Sequence, residues 1–195
     1  MKKHAPVKIV HLVLMLLLLL FSGAAAVMMI GGFGIRTAGV DRLQLLLRGV
    51  FSLFNLAGLL LGVIYLLNEY GKRAAGYYKA FLAMLTVETA FLIVLEFLFH
   101  TPGIWFYVTL TLLELKIVVL LLLTFGKDLG KQRSWILFGV LMALDLAGVA
   151  LTFVGAGSAL LTYRIADALS RLILSGTVGL AIRGKYADKD SRGTK

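Results

Sequence analysis

The stretch LVLMLLLLLF, residues 12–21, has no charged side chain and is too apolar for the surface helix of a soluble domain. It lies within a predicted span, residues 9–31, that is long enough to cross about 30 Å of hydrocarbon as a helix. Backbone groups in lipid must be hydrogen-bonded within the segment, and barrel strands are about half this length. The stretch therefore predicts a membrane-spanning helix.

The same apolar character extends over the whole chain of 195 residues, of which 60% are apolar and 15% charged. Soluble domains carry about a quarter charged residues. Six segments are long enough to span a membrane: 9–31, 44–67, 78–99, 104–125, 134–154 and 159–181. We therefore expect an all-α polytopic membrane bundle of six transmembrane helices. It forms a single domain over residues 1–182, followed by a basic tail, 183–195, that we expect to be disordered.

The connections between these segments differ sharply in charge. Fourteen of the twenty Lys and Arg residues fall on one side, in the N-terminal segment, the second and fourth connections and the tail. The other side carries only Arg36 and Arg42. The positive-inside rule then predicts that both termini are cytoplasmic in a multi-pass protein of the cell membrane. The net charge of +10 is thus a topology signal, and without a separate basic domain it does not indicate nucleic-acid binding.

The first segment has a second interpretation. A basic start, an apolar run and the small residues SGAAA (22–26) are also typical of a cleaved signal peptide. The apolar run continues beyond them through VMMIGG (27–32), which favours an uncleaved helix. The predicted topology of the remaining segments is the same in both cases.

Nine charged residues fall inside the predicted spans. On an insertion scale each charge at the helix centre costs roughly 2.5–3.5 kcal/mol, so we expect these side chains to face the bundle interior, to pair, or to line a wet cavity. They are Arg48, Glu88, Glu96, Glu114, Lys116, Asp145, Arg164, Asp167 and Arg171.

The spacing of these charges indicates which of them share a helix face. In TYRIADALSR (162–171), Arg164, Asp167 and Arg171 fall within an arc of about 60°, with Asp167 in reach of either arginine. Glu114 and Lys116 lie about 200° apart on their helix, so they cannot pair with each other. Lys116 is also too far from the interface to reach it, so we expect it to be internal.

The depth of the charges is asymmetric. Counting from the middle of each span, they lie near the midplane or in the outer half, and the inner half has none until the cytoplasmic helix ends. This pattern predicts a polar cavity that opens to the outer side and is closed below by apolar packing.

The function predicted from this pattern is a small-solute membrane transporter, or the substrate-binding membrane subunit of one, because transporters hold ligands near the midplane. The candidate substrate-binding residues are Arg48, Asn55, Glu88, Glu114, Lys116, Asp145, Arg164, Asp167 and Arg171. The expected partners are membrane lipids, a small charged solute and a partner protein on the basic cytoplasmic face. We predict no cofactor and no metal site, because the chain has no cysteine and its three histidines lie at opposite membrane faces.

Three alternatives stay open. Paired carboxylates also suit an intramembrane enzyme that acts on lipid or polyprenyl head groups, although no fixed spacing specifies one. A non-catalytic sensor, assembly factor or partner subunit is the second alternative. In the third, the charges are buried ion pairs that fix helix register and bind nothing.

Overall fold

The computed structural model describes residues 5–31, 42–69, 71–126, 129–153 and 161–192. These residues form six α-helices and all or part of the second, third and fourth connections between them, and all six helices are long and apolar enough to cross a membrane. The helices are α1 Ala5–Gly31, α2 Arg42–Leu67, α3 Ala74–Phe99, α4 Ile104–Phe125, α5 Lys131–Phe153 and α6 Leu161–Arg192. The prediction of an all-α chain with six long apolar helices is confirmed for the described residues.

The helix ends follow local chemistry. The last turn of α3 closes through the His100 amide, which donates to the Glu96 carbonyl at 3.0 Å, and Pro102 then prevents the helix from continuing. At the end of α4 the Gly126 amide donates to the Leu122 carbonyl at 2.9 Å. No proline interrupts α6, and it continues to Arg192. Residues 183–192 of the expected disordered tail are therefore helical, and the rest of the tail lies outside the described residues.

The helices pack in chain order, and α6 closes the ring against α1. Helix α2 also packs against α6. Helix α1 therefore packs on the outside of the α2–α6 contact, and the space inside the bundle is enclosed by α2 to α6 without α1. Neighbouring helices alternate in direction. At one end, which we call the termini end, the start of α1 meets the end of α2 through an ion pair of 2.5 Å between Lys8 and Glu69. At the opposite end, the mouth end, Phe97 of α3 stacks edge-on against Phe106 of α4.

The apolar core occupies the half of the bundle near the termini end. Its buried side chains come from the first half of α1 and α3, the second half of α2 and α4, and the middle of α5 and α6. The largest of those that are fully buried are Met15, Leu59, Leu66, Phe81, Leu82, Leu120, Leu141, Leu174 and Val178. A polar contact of 2.9 Å between His11 and Thr177 joins α1 to α6 within this half. The mouth half is left for the cavity described next.

Candidate functional site

A cavity of about 590 Å³ lies in the mouth half, among α2, α3, α4, α5 and α6. Its volume is within the range of small-molecule sites. It extends from the α3–α4 connection, at His100 to Trp105, down to residues in the middle of α4, α5 and α6. Its charged lining consists of Arg48, Glu96, Lys116, Asp145, Arg164, Asp167 and Arg171. The structure thus shows the predicted asymmetry, with charges in one half and apolar packing in the other.

The floor of the cavity is an ion pair between α4 and α5. Lys116 Nζ lies 2.5 Å from Asp145 Oδ1, and the two side chains are 12% and 2% exposed. Ser175 of α6 donates a hydrogen bond to the other oxygen, Asp145 Oδ2. One carboxylate therefore joins three helices, and both of its oxygens are satisfied. Lys116 is internal, as the sequence predicted.

A second ion pair lies on α6 alone. Arg171 Nη2 is 2.8 Å from Asp167 Oδ2, one helical turn away. Arg171 Nε is buried and has no hydrogen-bond partner among the described residues. Of the two arginines in reach of Asp167, the structure pairs it with Arg171. Arg164 instead makes a long hydrogen bond of 3.4 Å from Nη1 to the Thr152 carbonyl of α5.

Two cations of the cavity lack a carboxylate partner. Within the described part of the chain, neither Arg48 nor Arg164 forms an ion pair. The third acid of the lining, Glu96, lies 2.9 Å from His100 Nδ1 in the last turn of α3. Each cavity acid is therefore matched to a residue other than these two arginines.

Asn55 and Glu88 lie outside the cavity lining, in a buried cluster between α1, α2 and α3. Asn55 Nδ2 donates to Glu88 Oε1 at 3.1 Å, and Ser22 Oγ donates to Asn55 Oδ1 at 3.0 Å. The cluster adjoins the cavity, because Asn55 and Asp167 line the same small crevice. Its amide–carboxylate hydrogen bond holds α2 against α3.

Glu114 does not join the site. Its side chain is exposed on the outside of α4, together with those of Tyr107 and Thr111. The expectation that each charge within the spans faces the bundle interior, pairs or lines a wet cavity is wrong for this residue, which forms no ion pair among the described residues and does not line the cavity. The physical reason is rotational: once Lys116 points inward to Asp145, Glu114, about 200° away on the same helix, must point outward.

Some residues of the site were missed by the sequence-based list. Glu96 is one of the nine charges within the predicted spans but is not among the candidate substrate-binding residues, and neither is His100. Their spacing of four positions on one helix was the signal that could have identified the pair. Ser22 had no signal beyond being a hydroxyl within an apolar helix. Among the described residues, no three His, Cys, Asp or Glu side chains are grouped so that they could hold a metal ion.

Six long apolar helices, five of which enclose a charged cavity in the described part of the chain, are the architecture of a multi-pass helical membrane protein. Comparisons with models of protein families, with curated proteins and with solved structures found no match.

Proposed function

We propose that the protein binds a small charged solute in this cavity, as a membrane transporter or as the substrate-binding membrane subunit of one. The observation that carries the proposal is the cavity of about 590 Å³ whose floor is the buried ion pair between Lys116 and Asp145, in the middle of α4 and α5. Transporter sites characteristically lie at this depth.

The cavity carries a free-energy cost in lost packing and in desolvated charges, and this cost supports a ligand-binding role over a purely structural one. Helix packing in membranes relies on small residues and close van der Waals contact, which the termini half already provides. A space lined by seven charged residues forgoes that contact and keeps several charges away from bulk water. An ion pair that only fixed helix register would not require such a space around it.

The charge distribution orients the cavity. The exposed cations Lys72, Arg73, Lys79 and Arg133 lie at the termini end. The positive-inside rule supports the proposal that this end and both termini are cytoplasmic, in a protein of the cell membrane. The cavity then opens toward the outer side, and the apolar core separates it from the cytoplasm.

Ligand-dependent stabilisation tests the proposal. The purified protein in lipid nanodiscs would be heated with a panel of anionic, cationic and zwitterionic metabolites. A ligand at 100 times its Kd stabilises by about 2.7 kcal/mol, which is readily seen as a higher Tm. We expect at least one solute to raise the Tm.

Two matched glycines on α5 provide the control. A side chain at Gly148 would enter the cavity, since its Cβ would meet only Arg171 Nη1, at 3.9 Å. Gly139 has no atom within 4 Å of the corresponding position and does not line the cavity. We expect Gly148→Leu to lose the ligand-induced shift and Gly139→Leu to keep it. A panel without any stabilising solute, or equal behaviour of the two variants, would refute the proposal.

A second candidate function, a non-catalytic partner subunit, is favoured by Glu114. An exposed carboxylate in the middle of α4 costs roughly 2.5–3.5 kcal/mol against lipid, and another transmembrane segment would relieve this cost. A spin label at Glu114→Cys would then be shielded from oxygen in native membranes but accessible in the purified protein. A label at Leu146→Cys, on an exposed site of α5, is the control and should be accessible in both. Equal oxygen access at both labels in native membranes would exclude a covering partner.

A further inference from the structure

We infer that the solute is a small organic oxyanion, bearing a carboxylate or phosphate group that Arg48 and Arg164 bind together. This inference rests on the proposed function and specifies the class of its substrate. The cavity itself provides the argument, through its charge pairing, its free hydrogen-bond donors and its volume.

The charge pairing of the lining leaves a surplus of cations. Asp145 is held by Lys116 and Ser175, Asp167 by Arg171, and Glu96 by His100. Each acid thus has its own partner, and the lining contains four Lys and Arg residues against three acids. Glu88, the nearest acid outside the lining, is hydrogen-bonded by Asn55. Among the described residues, a cationic solute would find no unmatched carboxylate, whereas an anion finds two guanidinium groups that have no carboxylate partner.

The free donors point to a planar or tetrahedral oxyanion. A guanidinium group has five N–H donors in a fixed fork that matches carboxylate and phosphate oxygens. Arg48 uses none of these donors on a described residue, and Arg164 uses one, in a long hydrogen bond to a backbone carbonyl. An oxyanion would satisfy guanidinium donors of Arg48 and Arg164 that no described residue occupies.

The volume indicates an organic anion. A cavity of about 590 Å³ is much larger than an inorganic ion requires, and its lining includes the aromatic side chains of Phe51, Phe99, Trp105 and Phe106. These rings would contact an apolar portion of the solute while the arginines bind its charged group. A free metabolite and a lipid head group both have this chemistry, so the experiment distinguishes the two sources.

The absence of cysteine from the chain allows a direct measurement of the cavity potential. Thr109 lines the cavity on α4, and Thr109→Cys would provide a single thiol there. Its reaction rates with an anionic and a cationic methanethiosulfonate would be expressed as a ratio and normalised to a free thiol in solution. Charged clefts concentrate counter-ions by about tenfold or more, so we expect the anionic reagent to be favoured at least about tenfold.

Three charge-neutralising variants identify the source of that preference. Arg48→Gln and Arg164→Gln should each reduce the ratio several-fold. Arg42→Gln is the matched control, because Arg42 is exposed at the start of α2 and does not line the cavity. We expect it to leave the ratio unchanged.

Protection of the same thiol then tests binding. Succinate, inorganic phosphate, a short-chain phosphatidic acid and choline would each be added before labelling. We expect succinate or the phosphatidic acid to slow labelling, choline to have no effect, and the Arg48→Gln/Arg164→Gln double variant to lose the protection. Protection by succinate assigns a free metabolite, and protection by phosphatidic acid alone assigns a lipid head group.

The possible failures are distinguishable. A thiol that reacts with neither reagent would mean that the cavity is closed to solutes, which overturns the proposed function as well. Preference for the cationic reagent, or protection by choline alone, would leave the function standing and overturn the anion class. Preference for the anionic reagent without protection by any oxyanion would also overturn the inference.

Discussion

Lys116 Nζ lies 2.5 Å from Asp145 Oδ1, and this contact between α4 and α5 forms the floor of the cavity. The pair also sets the rotation of α4, so that the opposite side of the helix, including Glu114, is exposed. One contact between helices thus places Lys116 in the cavity lining and Glu114 on the outer surface of the bundle.

The floor pair should show strong thermodynamic coupling. Removal of one partner from a buried ion pair costs about 3–5 kcal/mol, because it leaves a charge without compensation. We expect losses of this size for Lys116→Met and Asp145→Asn, and a double variant more stable than the sum of the two losses predicts. Denaturant unfolding of the wild type, the two single variants and the double variant in detergent micelles measures this double-mutant cycle. Strictly additive losses would show that the contact has no energetic role.

Glu114 should be irrelevant to ligand binding. Its side chain points away from the cavity, whereas Arg164 lines it. We therefore expect Glu114→Gln to keep the ligand-induced rise in Tm in full, while Arg164→Gln, which also removes one charge, reduces it by several degrees. Thermal unfolding of both variants with the solute that stabilises the wild type provides the comparison. Loss of the rise in Glu114→Gln would place Glu114 in the site after all.

Gly49 should be intolerant of even a methyl group. A Cβ there would lie 2.6 Å from Ile30 Cγ1 and 3.2 Å from the Ile30 backbone nitrogen, so α1 and α2 would have to separate. We expect Gly49→Ala to destabilise the protein by about 1–3 kcal/mol. Gly139→Ala is the control, because it meets nothing within 4 Å and relieves a helical glycine, for a gain of up to about 1 kcal/mol. Unfolding curves that show equal stability for both variants would contradict this close approach.

The proposed orientation predicts the side from which single cysteines react. Gly76 is exposed in the first turn of α3 at the termini end, and Thr101 is exposed at the mouth end. Neither substitution removes a charge that helps to set topology. We expect an impermeant maleimide to label Thr101→Cys in intact cells, and Gly76→Cys only after the membrane is opened. The reverse pattern would invert the proposed topology.

Much of the fold could be predicted from local sequence. The predicted spans 44–67 and 104–125 correspond to α2 Arg42–Leu67 and α4 Ile104–Phe125, because hydrophobic length and breakers such as Pro102 act within one segment. The position of each charge along its helix could also be predicted from local sequence, since it requires only a count of residues from the middle of one span. The end of α6 could not be predicted in this way, because the helix continues through Gly184, where the apolar run ends, as far as Arg192.

The candidate site could be predicted only in part. Spacing along α6 placed Arg164, Asp167 and Arg171 on one face but did not choose the partner of Asp167. It could not show that Glu88 would be held by Asn55 outside the cavity. Which side chains pair depends on atoms from different helices, and the periodicity within one helix does not indicate these pairings.

The sequence by itself determined the number of helices, their approximate ends and the concentration of charge toward one half of the bundle, because each follows from the hydrophobicity and hydrogen bonding of a single segment. Only the tertiary structure decided that Lys116 meets Asp145, that Arg48 and Arg164 are left without carboxylate partners among the described residues, and that Glu114 lies outside. The rotation of a helix about its own axis is set by packing against its neighbours, and that rotation determines which charges meet.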